Sequence, residues 1–161
     1  MLTEIEQLIA KDAIRELKYK HLRLLDSKDW EALAETFTTD VQARYADGQF
    51  EFSGIDSVMA FLKESPLGTD NVSHTHHAGA GEITVKGPDT ASGIWRLINP
   101  MIFHEEKMNY QLLAFYIDEY RKENGEWKVS ATGHRYLMET QFSSEAIQQN
   151  ISSQASYPIR W

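Results

Sequence analysis

Residues 110–138 read YQLLAFYIDEYRKENGEWKVSATGHRYLM. Two long apolar and aromatic stretches, Tyr110 to Arg121 and Trp127 to Met138, flank Glu123-Asn124-Gly125-Glu126. Asn-Gly supplies the left-handed backbone of a two-residue hairpin, so the stretch predicts two long antiparallel strands. Upstream, His74 to Val85 and Thr90 to Phe103 have the same texture. Their connections, Lys86-Gly87-Pro88-Asp89 and His104-Glu105-Glu106-Lys107, carry turn chemistry.

The first third reads helical. Leu2, Ile5, Leu8, Ile9, Ala13, Ile14, Leu17, His21, Leu24 and Leu25 recur at three- and four-residue steps, predicting one long amphipathic helix or two end to end. It stops around Asp26-Ser27-Lys28-Asp29. Ser27 or Asp29 can then cap a second helix with Trp30, Leu33, Ala34 and Phe37 on its apolar side. Val41 to Tyr45 and Phe50 to Phe52, around Ala46-Asp47-Gly48, predict a small hairpin. Ser53, with Asp56 three residues on, reads as the cap of a third helix that buries Ile55, Val58, Met59 and Leu62. Helices followed by long strands make an α+β domain. A strongly curved, mostly antiparallel sheet with helices on one face can form a cone-shaped barrel enclosing an apolar pocket. The Ser- and Gln-rich tail, 143–161, is either a loose arm or a segment packed across a partner or a pocket mouth.

A chain of 161 residues holds one domain, and 42% apolar residues suffice for a core. The net charge of -8 argues against nucleic acid, whose phosphates need clustered Lys and Arg. The absence of cysteine excludes disulfide scaffolds, thiolate metal sites and a cysteine nucleophile. No secretory signal pattern opens the chain, and no apolar run approaches the ~20 residues of a membrane helix. A cytoplasmic protein without a membrane partner is expected. No phosphate-cradling glycine loop, Gly-x-Ser-x-Gly elbow or His-Glu-x-x-His motif is present.

The most unusual local feature is Ser73-His74-Thr75-His76-His77-Ala78-Gly79. On a strand, His74 and His76 share a face and His77 points away. Three readings compete. Two histidines at i, i+2 can reach one metal if a third ligand converges. A histidine held by a carboxylate can take and return a proton, and Asp26, at the end of the first helical run, is the natural partner. A histidine can also simply be a hydrogen-bonded structural residue. Polar tips on otherwise apolar elements, His21, Tyr45, Asn99, Tyr116 and His134, could ring a pocket. Tyr or Asn donors there would suit a developing oxyanion.

The chain resembles the NTF2-like superfamily, in its SnoaL-like branch, over roughly Ile5 to Phe142. The residues that carry this are Leu24-Leu25-Asp26-Ser27-Lys28-Asp29-Trp30, Phe37-Thr38-Thr39-Asp40, His76 six residues before Glu82-Ile83-Thr84-Val85, Phe115-Tyr116-Ile117-Asp118-Glu119-Tyr120, and Asn124-Gly125-Glu126-Trp127. The branch includes scytalone dehydratase, hexachlorocyclohexane dehydrochlorinase and bile acid 7α-dehydratase. The resemblance implies a domain over 1–142 with a tail at 143–161, and a homodimer through the outer sheet face. It implies a cofactor-independent, metal-free lyase in which His76 removes a proton and Asp26 orients it. The substrate class would be an apolar cyclic molecule, such as a steroid or polyketide-like alcohol. A one-residue slip in the alignment would give His77 the role of His76. Several pocket positions differ from these enzymes. His21 stands where the bile acid enzyme has tyrosine, and Asn99 where it has a carboxylate. Thr132 replaces the dehydrochlorinase arginine, and Tyr116 the scytalone dehydratase asparagine. His21, Tyr45, Asn99, Tyr116 and His134 are therefore the candidate contacts to the substrate oxygen or leaving group. An isomerase or cyclase, or a non-catalytic binding module, are the rival readings.

Overall fold

The computed structural model describes residues 2–146. Helix α1 spans Glu4–Asp26. Thr3 starts it with a capping box: its hydroxyl accepts from the Glu6 backbone N–H, and the Glu6 carboxylate accepts from the Thr3 N–H. Ala10, Ile14, Lys18, His21, Leu22 and Leu25 form its buried stripe. The expected stripe is shorter at its start, because Ile5, Leu8 and Ile9 are each at least 64% exposed. Among the described residues nothing covers these first turns, so their periodicity buries no surface.

Asp29 caps α2 (Trp30–Glu35), accepting from the Ala32 N–H. Strand β1 (Phe37–Tyr45) turns through Ala46, Asp47 and Gly48, all at positive φ, into β2 (Phe50–Ser53). Helix α3 (Ile55–Glu64) follows, but Ser53 does not cap it. Gly54, at φ 84°, is the N-cap, and Ser53 remains in β2, where its hydroxyl accepts from the Gln42 side chain. The stretch expected as one strand, His74 to Val85, is two: β3 (Val72–His74) and β4 (His77–Val85). Strands β5 (Thr90–Phe103), β6 (Met108–Glu123) and β7 (Glu126–Ser143) complete the set. The β6–β7 turn uses Asn124 and Gly125 at φ 52° and 86°. Of the tail, Ser143 closes β7, and 147–161 lie outside the described residues.

The seven strands form one open, curved, mixed sheet in the order β2-β1-β7-β6-β5-β3, with β4 also on β5. The β1–β7 pair is parallel and the other pairs are antiparallel. Alternation along β5 turns Ala91, Trp95, Leu97 and Asn99 inward and leaves Ile94, Arg96 and Ile98 outside. On β6 it turns Leu112, Ala114, Tyr116, Asp118 and Tyr120 inward. Ile14, Leu33 and Val58, fully buried, tie the helices to this face. Each such side chain stabilises the fold by roughly 1.5–3 kcal/mol. Among the described residues, no helix is long and apolar enough to cross a membrane.

Candidate active site

The break between β3 and β4 falls at Thr75 and His76, where Pro100 of β5 stands opposite Thr75 and has no N–H to return to the ladder. The Thr75 N–H still donates to Pro100 O at 3.4 Å, so strand alternation turns the His76 N–H away from β5, and it donates to Asp26 Oδ2 at 2.9 Å. The Thr75 hydroxyl donates to the same oxygen at 3.1 Å. The His76 ring is brought onto the carboxylate, with Nδ1 2.6 Å from Asp26 Oδ1. Asp26, at the C-terminal end of α1, thus bonds the edge of this segment that faces away from β5.

Asp26 is about one-fifth exposed, while the side chains of His74 and His76 are at most 5% exposed. Burial works to raise the Asp26 pKa, but the two facing histidines outweigh it and hold the carboxyl well below its ordinary range. Burial holds the His76 pKa below its ordinary value, and the Asp26 carboxylate pulls against it. His77 points away and is exposed.

His74 Nε2 lies 3.1 Å from the Leu67 carbonyl, and its buried Nδ1 stands 3.6 Å from Asp26 Oδ1 with no hydrogen-bond partner. Asp26, His74 and His76 therefore set three ligand-type atoms within 4.8 Å of one another. Their arrangement is that of a hydrogen-bonded cluster. Two ligands on one tetrahedral zinc ion stand roughly 3.3 Å apart, against 2.6 Å for the Asp26–His76 contact. The carboxylate is also already filled by hydroxyl and main-chain donors.

His76 separates two spaces. On the Asp26 side lies an open groove bordered by Tyr19, Arg23, His77 and Arg96. On the other side is a cavity of about 450 Å³ under the helices. Its walls are largely apolar and aromatic, including Leu25, Trp30, Phe61, Leu97, Met101 and Leu112. His21, Tyr45, Asn99, Tyr116 and His134 all line it together with His76, whereas Asp26 stands behind the imidazole.

The polar groups of this cavity have defined roles. The Thr36 hydroxyl donates to the Leu33 carbonyl, so it accepts from His21 Nδ1 at 2.8 Å. Burial keeps His21 neutral, which leaves its Nε2 an acceptor. His134 Nε2 accepts from the Ala46 N–H at 3.3 Å, and burial pushes its pKa down to about 4. Its Nδ1 is therefore the protonated nitrogen. Tyr45 and Tyr116 lie against the His134 ring, with centroids 5.6 and 6.2 Å away. Burial raises both phenol pKa values, so both keep their protons as donors. Asn99 has a different neighbour from the one expected: its amide lies 2.9 Å from His76 Nε2.

Sequence reasoning missed Lys18 and Asp118. They form an ion pair at 2.7 Å, with side chains at most 1% exposed. The hydroxyls of Tyr120 and Thr132 donate to the same carboxylate at 2.8 and 2.7 Å. Lys18 Nζ sits 3.7 Å from the Tyr116 ring centroid, beneath the cavity floor. A signal was present: Lys18 is four residues after Ile14 on the buried stripe, and Asp118 shares the parity of Leu112, Ala114 and Tyr116.

Comparison with known proteins agrees with this architecture. Residues 6–133 match the SnoaL-like domain family. A scytalone dehydratase candidate from Novosphingobium aromaticivorans DSM 12444 superposes with a TM-score of 0.78 at 24% identity, covering 86% of this chain and 91% of its own. The hexachlorocyclohexane dehydrochlorinase LinA-type3 from Novosphingobium barchaimii LL02 gives 0.77 at 18% identity, covering 87% and 94%. ActVI-ORFA from Streptomyces coelicolor gives 0.67 at 12%, covering 79% and 96%. At these identities the likeness is one of fold.

Proposed function

The chain belongs to the SnoaL-like domain family, and on that premise we propose that it is a cofactor-independent lyase that removes water from an apolar cyclic alcohol. The observation that carries this reading is the 2.6 Å contact of Asp26 with His76 Nδ1 in an imidazole whose other edge borders an apolar cavity. Dehydration takes one proton from carbon and places one on the departing hydroxyl. His76 does both at Nε2, as base and as acid, and Asp26 orients the ring and stabilises the imidazolium. Tyr45 and Tyr116 supply phenol donors to a substrate oxygen, His21 supplies an acceptor, and His134 supplies a ring N–H. A fused-ring alcohol suits the volume and the aromatic wall. The outward-facing Ile94, Ile98 and Ile117, each more than 40% exposed, support a homodimer through the outer sheet face.

The test is a screen of hydroxysteroids and polyketide-like cyclic alcohols for water loss, run on the native protein and on His76→Ala. Water loss that disappears in a folded His76→Ala supports the lyase. Equal turnover by that variant overturns the mechanism. Double-bond migration without water loss would replace the lyase by an isomerase. Tight binding that survives His76→Ala and gives no product would replace it by a binding module.

A further inference from the structure

The imidazole of His76 is held at both nitrogens, and the second clamp has a chemical sense. By continuation of the register on either side, His76 of the β3–β4 gap stands opposite Asn99 on β5. Asn99 is 2% exposed, so its amide cannot satisfy itself with bulk water. Around it lie the carbonyl oxygens of Thr75 and Pro100 and the Nε2 of His76. One orientation points the amide oxygen at two carbonyl oxygens. The other lets the amide nitrogen donate to Thr75 O at 3.1 Å and Pro100 O at 3.3 Å, and turns Oδ1 to His76 Nε2 at 2.9 Å. Only the second satisfies every group, and it requires a proton on Nε2.

Nδ1 already faces a carboxylate. An acceptor on each nitrogen is what an imidazolium needs, whereas a neutral ring would set a lone pair against one of them. We propose that Asn99 is a positioning residue for His76, not a substrate ligand, and that the empty site rests with His76 doubly protonated between Asp26 and Asn99. Other titratable groups face the same ring. From α1, Lys18 opposes its charge and Asp26 supports it; His21 of α1, His74 of β3 and His134 of β7 oppose it when protonated, and burial holds His21 and His134 neutral. The uncharged Tyr116 phenol approaches from β6. Burial outweighs Asp26, the largest support, and lowers the ring's hold on its second proton. The Asn99 oxygen at 2.9 Å is the second support that makes up the difference.

This deepens the lyase reading and rests on it. A site that starts protonated gives its proton first. The group that displaces Asn99 from Nε2 is then an oxygen acceptor, the leaving hydroxyl. His76 Nε2–H passes its proton to that oxygen, the C–O bond breaks, and water departs. The neutral Nε2 then takes the proton of the adjacent carbon, the C–H electron pair closes the double bond, and the imidazolium is restored against Asn99.

The test needs no substrate. Long-range proton–nitrogen NMR of the histidine-labelled protein reads the protonation of each ring nitrogen across a pH titration. Native protein near pH 7 is expected to show both His76 nitrogens protonated. Asn99→Leu is expected to lower the midpoint of His76 deprotonation by at least about one pH unit, a tenfold loss of proton affinity. Asn99→Asp, which keeps an acceptor at the same place, is expected to hold the midpoint at or above the native one. A lone-pair Nε2 in the native protein near pH 7 overturns the proposal, whether or not Asn99→Leu folds. So does a folded Asn99→Leu with an unchanged midpoint. A failed dehydration screen would bear on the lyase alone, because the NMR readout is independent of turnover.

Discussion

Asp26→Asn preserves the shape of the side chain and removes its charge, and the surrounding hydrogen bonds dictate how the site responds. Asp26 Oδ2 accepts from the His76 backbone N–H and the Thr75 hydroxyl, and Oδ1 faces His76 Nδ1 at 2.6 Å. An amide offers one oxygen and one NH2. The backbone N–H cannot become an acceptor, so the oxygen stays at the Oδ2 place and the NH2 turns to Nδ1. Nδ1 must then give up its proton. The ring becomes the neutral tautomer with its proton on Nε2, still directed to Asn99 Oδ1. A hydrogen bond to a charged group contributes about 1.5–3 kcal/mol. At about 1.4 kcal/mol per decade, the proton affinity of His76 falls roughly 10- to 150-fold, or one to two pH units.

Two assays detect this change. Ring-nitrogen NMR of Asp26→Asn should show Nδ1 unprotonated near neutral pH, and dehydration should fall at least tenfold. Stability should change with a defined sign. The folded-state pKa of Asp26 lies below its unfolded value, so its contribution is full above about pH 4 and drains away as pH falls further. The gap in melting temperature between native protein and Asp26→Asn should therefore narrow below about pH 4. A folded variant that keeps Nδ1 protonated with native turnover, or a gap that widens on acidification, would refute the reasoning.

Two further outcomes are expected. Lys18→Met leaves the buried Asp118 carboxylate with two hydroxyl donors and no countercharge. It should cost about 3 kcal/mol, seen in calorimetry as roughly 6–12 °C in Tm, and adding Asp118→Leu should recover much of this; a loss under about 1 kcal/mol would sink the account. Tyr45→Phe and Tyr116→Phe should leave the melting temperature nearly unchanged. Each should weaken the binding of a cyclic ketone or alcohol by about 2- to 12-fold, the range of one neutral hydrogen bond, while the matching hydrocarbon binds as before in calorimetric titration.

What the sequence disclosed and what it withheld separate along a physical line. Local and periodic signals carried over: the strand bounds of Thr90–Phe103, the Asn124-Gly125 turn, the Asp29 cap and the apolar stripe of α3. Placing Asp26 beside His76 drew on resemblance as well as on residue type. Features decided by distant contacts were not legible. Nothing near Thr75 and His76 announces a strand break, because the proline that interrupts the ladder lies on the partner strand, opposite Thr75. Asn99 looked like a pocket donor, and only the cross-strand register assigns it to the ring of His76. Ser53 had capping chemistry, but pairing with β1 held it in the sheet. Lys18 and Asp118 were legible by parity, yet charged residues are so seldom fully buried that composition argues against reading them so.

The position of Asp26 also explains why its carboxylate gathers so many donors. The residue ends a 23-residue helix, where the backbone carbonyls leave a partial negative charge. A carboxylate there is disfavoured by the dipole and, being mostly enclosed, by burial. Yet it stays ionised, because the outer edge of the strand at Thr75 and His76 gives it a main-chain N–H, the threonine hydroxyl and an imidazole. The His76 N–H is free for this because strand alternation turns it away from β5, while the Thr75 N–H stays with Pro100 O. An aspartate with two reasons to be neutral and three donors to keep it charged stabilises an imidazolium beside it more than an exposed pair could. In the proposed mechanism, this same support from Asp26 is what draws a proton back to the ring after an oxygen has taken the one it held.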